Sequence, residues 1–190
     1  REYMGYGPAM PPLAGLSEGT GYIGGAPQEI GLSMPDPTAG ITGTLGVVSA
    51  LIKREQTGEG DHLDISLWEA TAVLNLSGWM DYVVDNKQPK RNGNRSDVMA
   101  PHGCFPCKEE DAWVSIAVSG DEEWHQLAKE ISKDLQEDPR FKDLQARKQN
   151  EDALDEIITL WTQDQDKWSV TERLQAQGIA AFPTMTTEDI

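Results

Sequence analysis

The sequence predicts an α/β region followed by a small α+β domain, and three observations carry that expectation. In the first half a short apolar run, a long helical pattern and an alternating apolar segment follow one another in the order strand, helix, strand. Residues 85–100 (DNKQPKRNGNRSDVMA) then form a polar break with almost no large apolar side chain. Beyond the break, two short strand patterns enclose a run of amphipathic helices.

Residues 1–30 are rich in Gly and Pro without sustained periodicity, so they read as irregular chain with one short helix near residues 13–22. Gly31, Leu32, Ser33 and Met34 make a short apolar run that stops at Pro35-Asp36-Pro37. A helix is expected over residues 38–56, with Ile41, Leu45, Val48 and Ile52 on one stripe. Lys53 and Arg54 in its last turns and Gly58 just beyond suit a helix end. Leu63, Ile65 and Leu67 alternate with His62, Asp64 and Ser66, the pattern of a half-buried strand, and a second helix follows over residues 68–84. Strand, helix and strand in this order imply a parallel sheet with helices packed on it.

After the break, residues 113–118 read as a strand, and Ser119-Gly120-Asp121-Glu122 has the form of a capping box. The helix it opens places Trp124, Leu127, Ala128, Ile131 and Leu135 on one face. A further helix begins near Asn150 and carries Leu154, Ile157, Ile158 and Trp161. Another runs from Asp166 to Gly178, and residues 179–185 close the domain as a strand. The expected organisation is therefore one domain over 1–84, a linker or loop over 85–100 and a small α+β domain over 101–190.

With 190 residues and 38% hydrophobic content, the chain suffices for one ordinary core or two small ones. Its net charge of -16, from 32 acidic against 16 basic residues, argues against nucleic acid and anionic membranes, which need clustered Lys and Arg. The acidic excess is densest over residues 109–156, where it alternates with Lys at helical spacing. A solvated helical surface is the first reading of that pattern, and a halophilic source is the other. No apolar run approaches bilayer length, and the opening REYMGYGPAMPP lacks the features of a secretory signal, so a cytoplasmic protein is expected. The chain opens on Arg1 and closes on Thr186-Thr187-Glu188-Asp189-Ile190, which resembles the cap and first turn of a helix; both ends read as internal cuts.

The two cysteines, Cys104 and Cys107, cannot build a disulfide scaffold. Their C-x-x-C spacing beside His102 is not read as a redox or metal motif. In a strand, residues three apart point to opposite faces, and a zinc site would need further ligands. No metal is therefore expected. His62, His102 and His125 lie on different predicted elements, and no G-x-S-x-G elbow is present, which disfavours a serine hydrolase.

Asp36 is the carboxylate that stands where a parallel sheet would place a ligand site. In open parallel sheets ligands bind beyond the carboxyl ends of strands, where the next helix begins and its free amides favour an anion. Gly40, Gly43 and Gly46 leave a strip of the following helix without side chains, open to a ligand or to tight packing by another segment. On spacing alone a helix cap or turn former is the better reading of Asp36.

Residues 31–69 (GLSMPDPTAGITGTLGVVSALIKREQTGEGDHLDISLWE) resemble the signature region of the class III CoA-transferase family. The matching positions are Asp36, Gly40, Arg54, Thr57, Gly58, Gly60, Asp64, Ser66 and Glu69. The resemblance continues through Gly93-Asn94-Arg95, Ala100-Pro101-His102-Gly103, Phe105-Pro106-Cys107, Asp138-Pro139-Arg140-Phe141 and Gly178-Ile179-Ala180-Ala181.

It implies a Rossmann-like parallel-sheet large domain, of which residues 1–84 are the C-terminal part, and an interlocked homodimer. Coenzyme A and acyl-CoA enter as substrates, with a carboxylic acid as partner and no permanently bound cofactor. Asp36 matches the family nucleophile, which carries the acyl group as an anhydride and then coenzyme A as a thioester. Tyr6, Gly40, Gly93, Asn94 and Arg95 match positions around substrate and coenzyme A. Tyr6 reads equally as a packed aromatic, and Arg95 either meets a substrate carboxylate, suggesting a dicarboxylic acid, or is an exposed linker arginine.

The racemase branch of the family pairs its Asp with an upstream His, and here that position is Tyr6, with no His among residues 1–35. A racemase or isomerase using Asp36 as a base is thus the alternative, together with a non-catalytic subunit that binds CoA esters. The isolated 190 residues are expected to be inactive.

Overall fold

A computed structural model describes residues 5–31 and 33–190. The chain divides into two compact units, residues 1–93 and residues 94–190.

In the first unit a 3-10 turn, Gly7–Ala9, runs into α1 (Met10–Leu13) and α2 (Leu16–Gly19). The helix expected near residues 13–22 is therefore displaced and broken. Gly15 takes φ 77°, a left-handed conformation that cannot continue a helix. The apolar run at 31–34 does not form a strand in its described residues. Gly31 (φ 68°) and Ser33 (φ 54°) are both left-handed, the geometry of a turn, while Leu32 lies outside the described residues.

Helix α3 (Pro35–Thr57) starts earlier than its periodicity suggests, because Pro suits the first helical position. It ends where Gly58, at φ 76°, donates its N–H to the Arg54 carbonyl at 2.8 Å. The expected apolar stripe is present but exposed, with Ile41 72% and Leu45 67% accessible.

What packs on α3 is its glycine strip. A Cβ at Gly46 would stand 3.6 Å from Leu63 Cδ1, and one at Gly43 would stand 3.9 Å from Ile65 Cγ1. The strand expected over 62–67 is not formed, nor is a parallel sheet, among the described residues. A strand needs a hydrogen-bonding neighbour, and among the described residues no strand lies beside residues 62–67, although Leu63 and Ile65 face the helix as a strand's side chains would.

The helix expected over 68–84 divides into α4 (Leu67–Ala72), a 3-10 turn at Val73–Asn75 and α5 (Leu76–Asp85). Ser66 caps α4 by accepting the Glu69 N–H at 3.2 Å. Trp68 Nε1 and Asn75 Nδ2 donate to the carbonyls of Leu13 and Ala14, tying α4 and the following turn to α1.

The second unit carries β1 (His102–Pro106), β2 (Trp113–Ala117) and β3 (Ala180–Pro183) in one antiparallel sheet ordered β1-β2-β3. Cys104 faces Ser115, and Ser115 faces Phe182, across the ladders. Between β2 and β3 come α6 (Asp121–Ile131), α7 (Lys133–Gln136), a 3-10 turn at Pro139–Phe141, α8 (Leu144–Gln149), α9 (Glu151–Thr162) and α10 (Lys167–Ala176). Helices are thus mixed with a small antiparallel sheet in this unit, as the helical and strand periods imply. Ser132 is extended and splits the helix expected through Leu135, its hydroxyl accepting the Leu135 N–H to start α7.

The capping expectation shifts by one residue: Glu123, not Glu122, reaches back to accept the Ser119 N–H at 2.6 Å. Gly120 occupies the cap position, which makes Glu123 the third helical residue.

One sheet face and the helices close over a core of Phe105, Val114, Ile116, Trp124, Leu127, Phe141, Leu154, Ile158, Val170 and Leu174. Each such buried aliphatic or aromatic side chain contributes roughly 1.5–3 kcal/mol. Trp124 and Phe141 meet edge to face with ring centroids 5.9 Å apart. Arg147 is wholly enclosed: its Nε donates to the Ala100 carbonyl at 2.8 Å, its Nη2 to Asp121 Oδ1 at 2.9 Å, and its guanidinium lies over the Trp124 ring.

Candidate active site

Asp36 sits inside the first turn of α3, one residue after Pro35 and not ahead of the helix. The cap position belongs to Met34, and no side chain caps this end. The carboxylate of Asp36 is exposed and accepts no hydrogen bond or ion pair among the described residues. The cap reading of Asp36 is thereby removed, because a capping Asp would spend an oxygen on the second or third backbone amide of the helix.

What the carboxylate does touch is backbone. A Cβ built on Gly7 would stand 2.2 Å from Asp36 Oδ2 and 3.0 Å from its Cγ, so the side chain rests directly over the glycine. Gly7 is buried and opens the 3-10 turn, with Tyr6 at the preceding cap position. Tyr6 is 67% accessible, and its carbonyl accepts the Ala9 N–H at 2.9 Å. Sequence reading singled out Tyr6 and passed over Gly7. The segment's richness in glycine was visible, but nothing local marks which glycine meets a residue 29 positions further on.

Gly40 lies one turn beyond Asp36 on α3, and a Cβ there would meet nothing within 4 Å. Of the three spaced glycines, Gly43 and Gly46 therefore serve packing, while Gly40 leaves open space on the helix that carries Asp36.

The remaining expected contacts flank the boundary between the units. Gly93, in the first, has φ 61° and donates its N–H to the Gly21 carbonyl at 3.0 Å. Beside it in that unit, Arg91 donates to the Glu18 carboxylate and carbonyl, both at 2.9 Å, and to the Gly25 carbonyl. In the second unit, the Asn94 carbonyl meets His102 Nδ1, and Arg95 is drawn onto the start of α9. Its Nη2 donates to Asp152 Oδ1 and Asp155 Oδ2, each at 2.6 Å, and Glu151 lies 3.8 Å from its Nε. Arg95 is thus neither an exposed linker arginine nor an unpaired cation. Lys148 fastens the same stretch by donating to the Ser96 carbonyl at 2.7 Å.

Burial and the neighbouring Glu109 and Asp166 push the Cys107 thiol up to about 11, so it is protonated at neutral pH. A thiol in that state is a poor metal ligand and a poor redox group. Among the described residues no cluster of three His, Cys, Asp or Glu side chains is arranged to hold a metal ion. No described helix is long and apolar enough to cross a membrane.

The family model for CoA-transferase family III matches residues 1–190. A succinyl-CoA–D-citramalate CoA-transferase of Chloroflexus aurantiacus is 27% identical over 191 residues, covering 100% of this chain and 47% of that protein. An acetyl-CoA:oxalate CoA-transferase of Acetobacter aceti is 32% identical over 154 residues, covering 80% of this chain and 39% of the other. The crystal structure of a CAIB/BAIF family protein from Brucella suis superposes with a TM-score of 0.88 at 27% identity, over 99% of this chain and 50% of that one. The chain spans about half the length, or less, of the curated relatives it matches.

Proposed function

The chain belongs to CoA-transferase family III, and on that premise we propose that the whole protein moves coenzyme A between an acyl-CoA and a carboxylic acid through Asp36. The observation that carries this reading is the state of Asp36. It is an exposed carboxylate in the first turn of a 23-residue helix, without a hydrogen-bond partner among the described residues and with its oxygen over a bare glycine.

In the proposed cycle a carboxylate oxygen of Asp36 attacks the thioester carbonyl, and the coenzyme A thiolate leaves, giving a mixed anhydride. The thiolate then attacks the aspartyl carbonyl of that anhydride, releasing the donor acid and leaving an aspartyl-CoA thioester. The acceptor carboxylate attacks this thioester, expelling the thiolate and forming a second anhydride. Attack of the thiolate on the acceptor carbonyl yields the new acyl-CoA and regenerates Asp36. No net proton is consumed, and exclusion of water conserves the thioester energy. Tyr6, Gly40, Gly93 and Asn94 are proposed contacts of substrate or coenzyme A, whereas Arg95 anchors the segment that Asn94 begins.

The relatives named for succinyl-CoA, citramalate and oxalate support dicarboxylic acids as the substrate class. The exposed stripe on α3 and residues 61–66, which lie in no described strand, fit a large domain whose Rossmann-like parallel sheet is completed by chain outside these residues. An interlocked homodimer in the cytoplasm, its thiols unpaired, completes the reading.

The test uses the whole protein. With succinyl-CoA, hydroxylamine is expected to inactivate it and modify Asp36, and Asp36→Ala is expected to abolish transfer to dicarboxylic acceptors. Undiminished transfer by Asp36→Ala, or modification at another residue, would reject the proposal. Deuterium incorporation at the α-carbon without any acceptor acid would favour a racemase instead.

A further inference from the structure

We propose that Gly7 is a positioning residue for the reaction, holding the Asp36 carboxylate in its working place by having no side chain. The inference rests on the assignment of Asp36 as nucleophile and adds a determinant of where that nucleophile points.

Two features carry it. The first is the contact: the site a Cβ would occupy on Gly7 lies 2.2 Å from Oδ2, 3.0 Å from Cγ and 3.4 Å from Oδ1, so its three nearest neighbours all belong to one carboxyl group. Any L-residue other than glycine would occupy the seat of the carboxylate itself. The second is what else holds the carboxylate. Among the described residues it has no hydrogen bond and no ion pair, so its direction is not set by a donor. Its backbone is fixed, with its N–H donating to the Ser33 carbonyl at 3.1 Å and Pro on either side in the first turn of α3. What remains free is side-chain rotation, and the surface that receives the carboxyl group is the bare backbone of Gly7.

The conformation of Gly7 does not explain the choice of glycine. It is not among the residues with positive φ, and it lies in an ordinary 3-10 turn that any small residue can join. Gly15, by contrast, needs its left-handed φ of 77°. The demand at position 7 is therefore for space, and Asp36 supplies it. A Cβ there would displace a short and otherwise unrestrained side chain, which can rotate outward into solvent. The fold is then retained while the reacting oxygen moves.

A displacement of that order lowers the rate of an oriented reaction by about 100-fold without a comparable effect on binding. In the whole protein, Gly7→Ala is expected to lower kcat for transfer from succinyl-CoA about 100-fold, with KM for succinyl-CoA changed less than about twofold. Labelling of Asp36 by succinyl-CoA and hydroxylamine should slow in parallel. Gly5→Ala is the control in the same segment, since a Cβ there meets only the flexible Met10 Cε at 3.4 Å; it is expected to keep the parent rate.

Wild-type kcat and Asp36 labelling in Gly7→Ala, or an equal loss in Gly5→Ala, would overturn the positioning role while leaving Asp36 as nucleophile. Full activity in Asp36→Ala would instead overturn the nucleophile assignment, whatever Gly7→Ala does. Should Gly7→Ala melt early, the double variant Gly7→Ala/Asp36→Ala decides. Recovery of the melting temperature to that of Asp36→Ala supports the contact, and an undiminished loss refutes it.

Discussion

Arg95 donates to a single oxygen of Asp155 from two nitrogens, Nε at 3.0 Å and Nη2 at 2.6 Å, and so fastens residues at the start of the second unit to α9. Burial raises the Asp155 carboxyl above its ordinary value of 3.8, and Arg95 offsets part of that rise. Removing the guanidinium should therefore raise it further. Because the folded value lies above the unfolded one, the protonated form favours the fold below pH 3.8, and that contribution is lost as pH rises through the folded value. Arg95→Ala is expected to cost about 1–2 kcal/mol at neutral pH, a modest figure because both groups keep some solvent. Chemical denaturation and a carboxyl NMR titration of Asp155 check both statements.

Arg147 gives a larger effect. Its guanidinium is fully enclosed, and truncation strands the buried Ala100 carbonyl while opening space beneath Trp124. Arg147→Ala is expected to destabilise the second unit by about 2–4 kcal/mol. Arg147→Lys should recover only part of this, since an ammonium cannot fork between Ala100 and Asp121. Urea denaturation followed by Trp fluorescence measures the difference.

Gly40→Ala separates folding from function. With nothing within 4 Å of a Cβ there, the substitution should stabilise α3 by about 0.8–1 kcal/mol through helix propensity alone. If substrate approaches this strip, transfer by the whole protein falls while stability rises. Thermal melts and steady-state rates on one preparation read both.

The two thiols should differ sharply in alkylation. Cys107 is buried and raised to about 11 from 9.0, whereas Cys104 is only half-buried. At pH 8 iodoacetamide is expected to label Cys104 and to reach Cys107 only after unfolding. The sign for stability follows: the neutral thiol favours the fold below pH 9.0, and that contribution is lost as pH rises toward about 11.

Asp189 ties down the last residues. Its carboxylate accepts from Lys167 Nζ at 2.5 Å and from the Thr186 N–H at 2.7 Å, and these bonds lower it to about 2. A depressed carboxyl contributes above its unfolded value and loses that contribution as pH falls through the folded one. Residues 186–190 should stay docked at pH 4 and release as pH falls from 3.8 toward about 2. Asp189→Asn should release them throughout, as measured by the Thr186 amide shift.

Much was legible in the sequence because it is decided by near neighbours. Helix α9 follows from Leu154 and Ile158 at a spacing of four, the end of α3 from Gly58, and the place of Asp36 at a helix start from its flanking prolines. The motif from Asp36 to Glu69 likewise carried the family. Alternation at Leu63 and Ile65 reports a half-buried segment and is blind to what pairs with its backbone. The two side chains lie against the glycine strip of α3, while a hydrogen-bonded neighbour, which makes such a segment a strand, is absent among the described residues.

The sequence by itself therefore determined several of the helices, the mixing of helices with short strands in the second half, the family and the candidate carboxylate. Only the tertiary structure decided that Gly7 seats that carboxylate and that Arg95, whose partner Asp155 lies 60 residues away, is already engaged. The physical reason is range. Periodicity, caps and turns are set within a few residues, whereas a steric seat or an ion pair between distant residues exists only after the chain has folded.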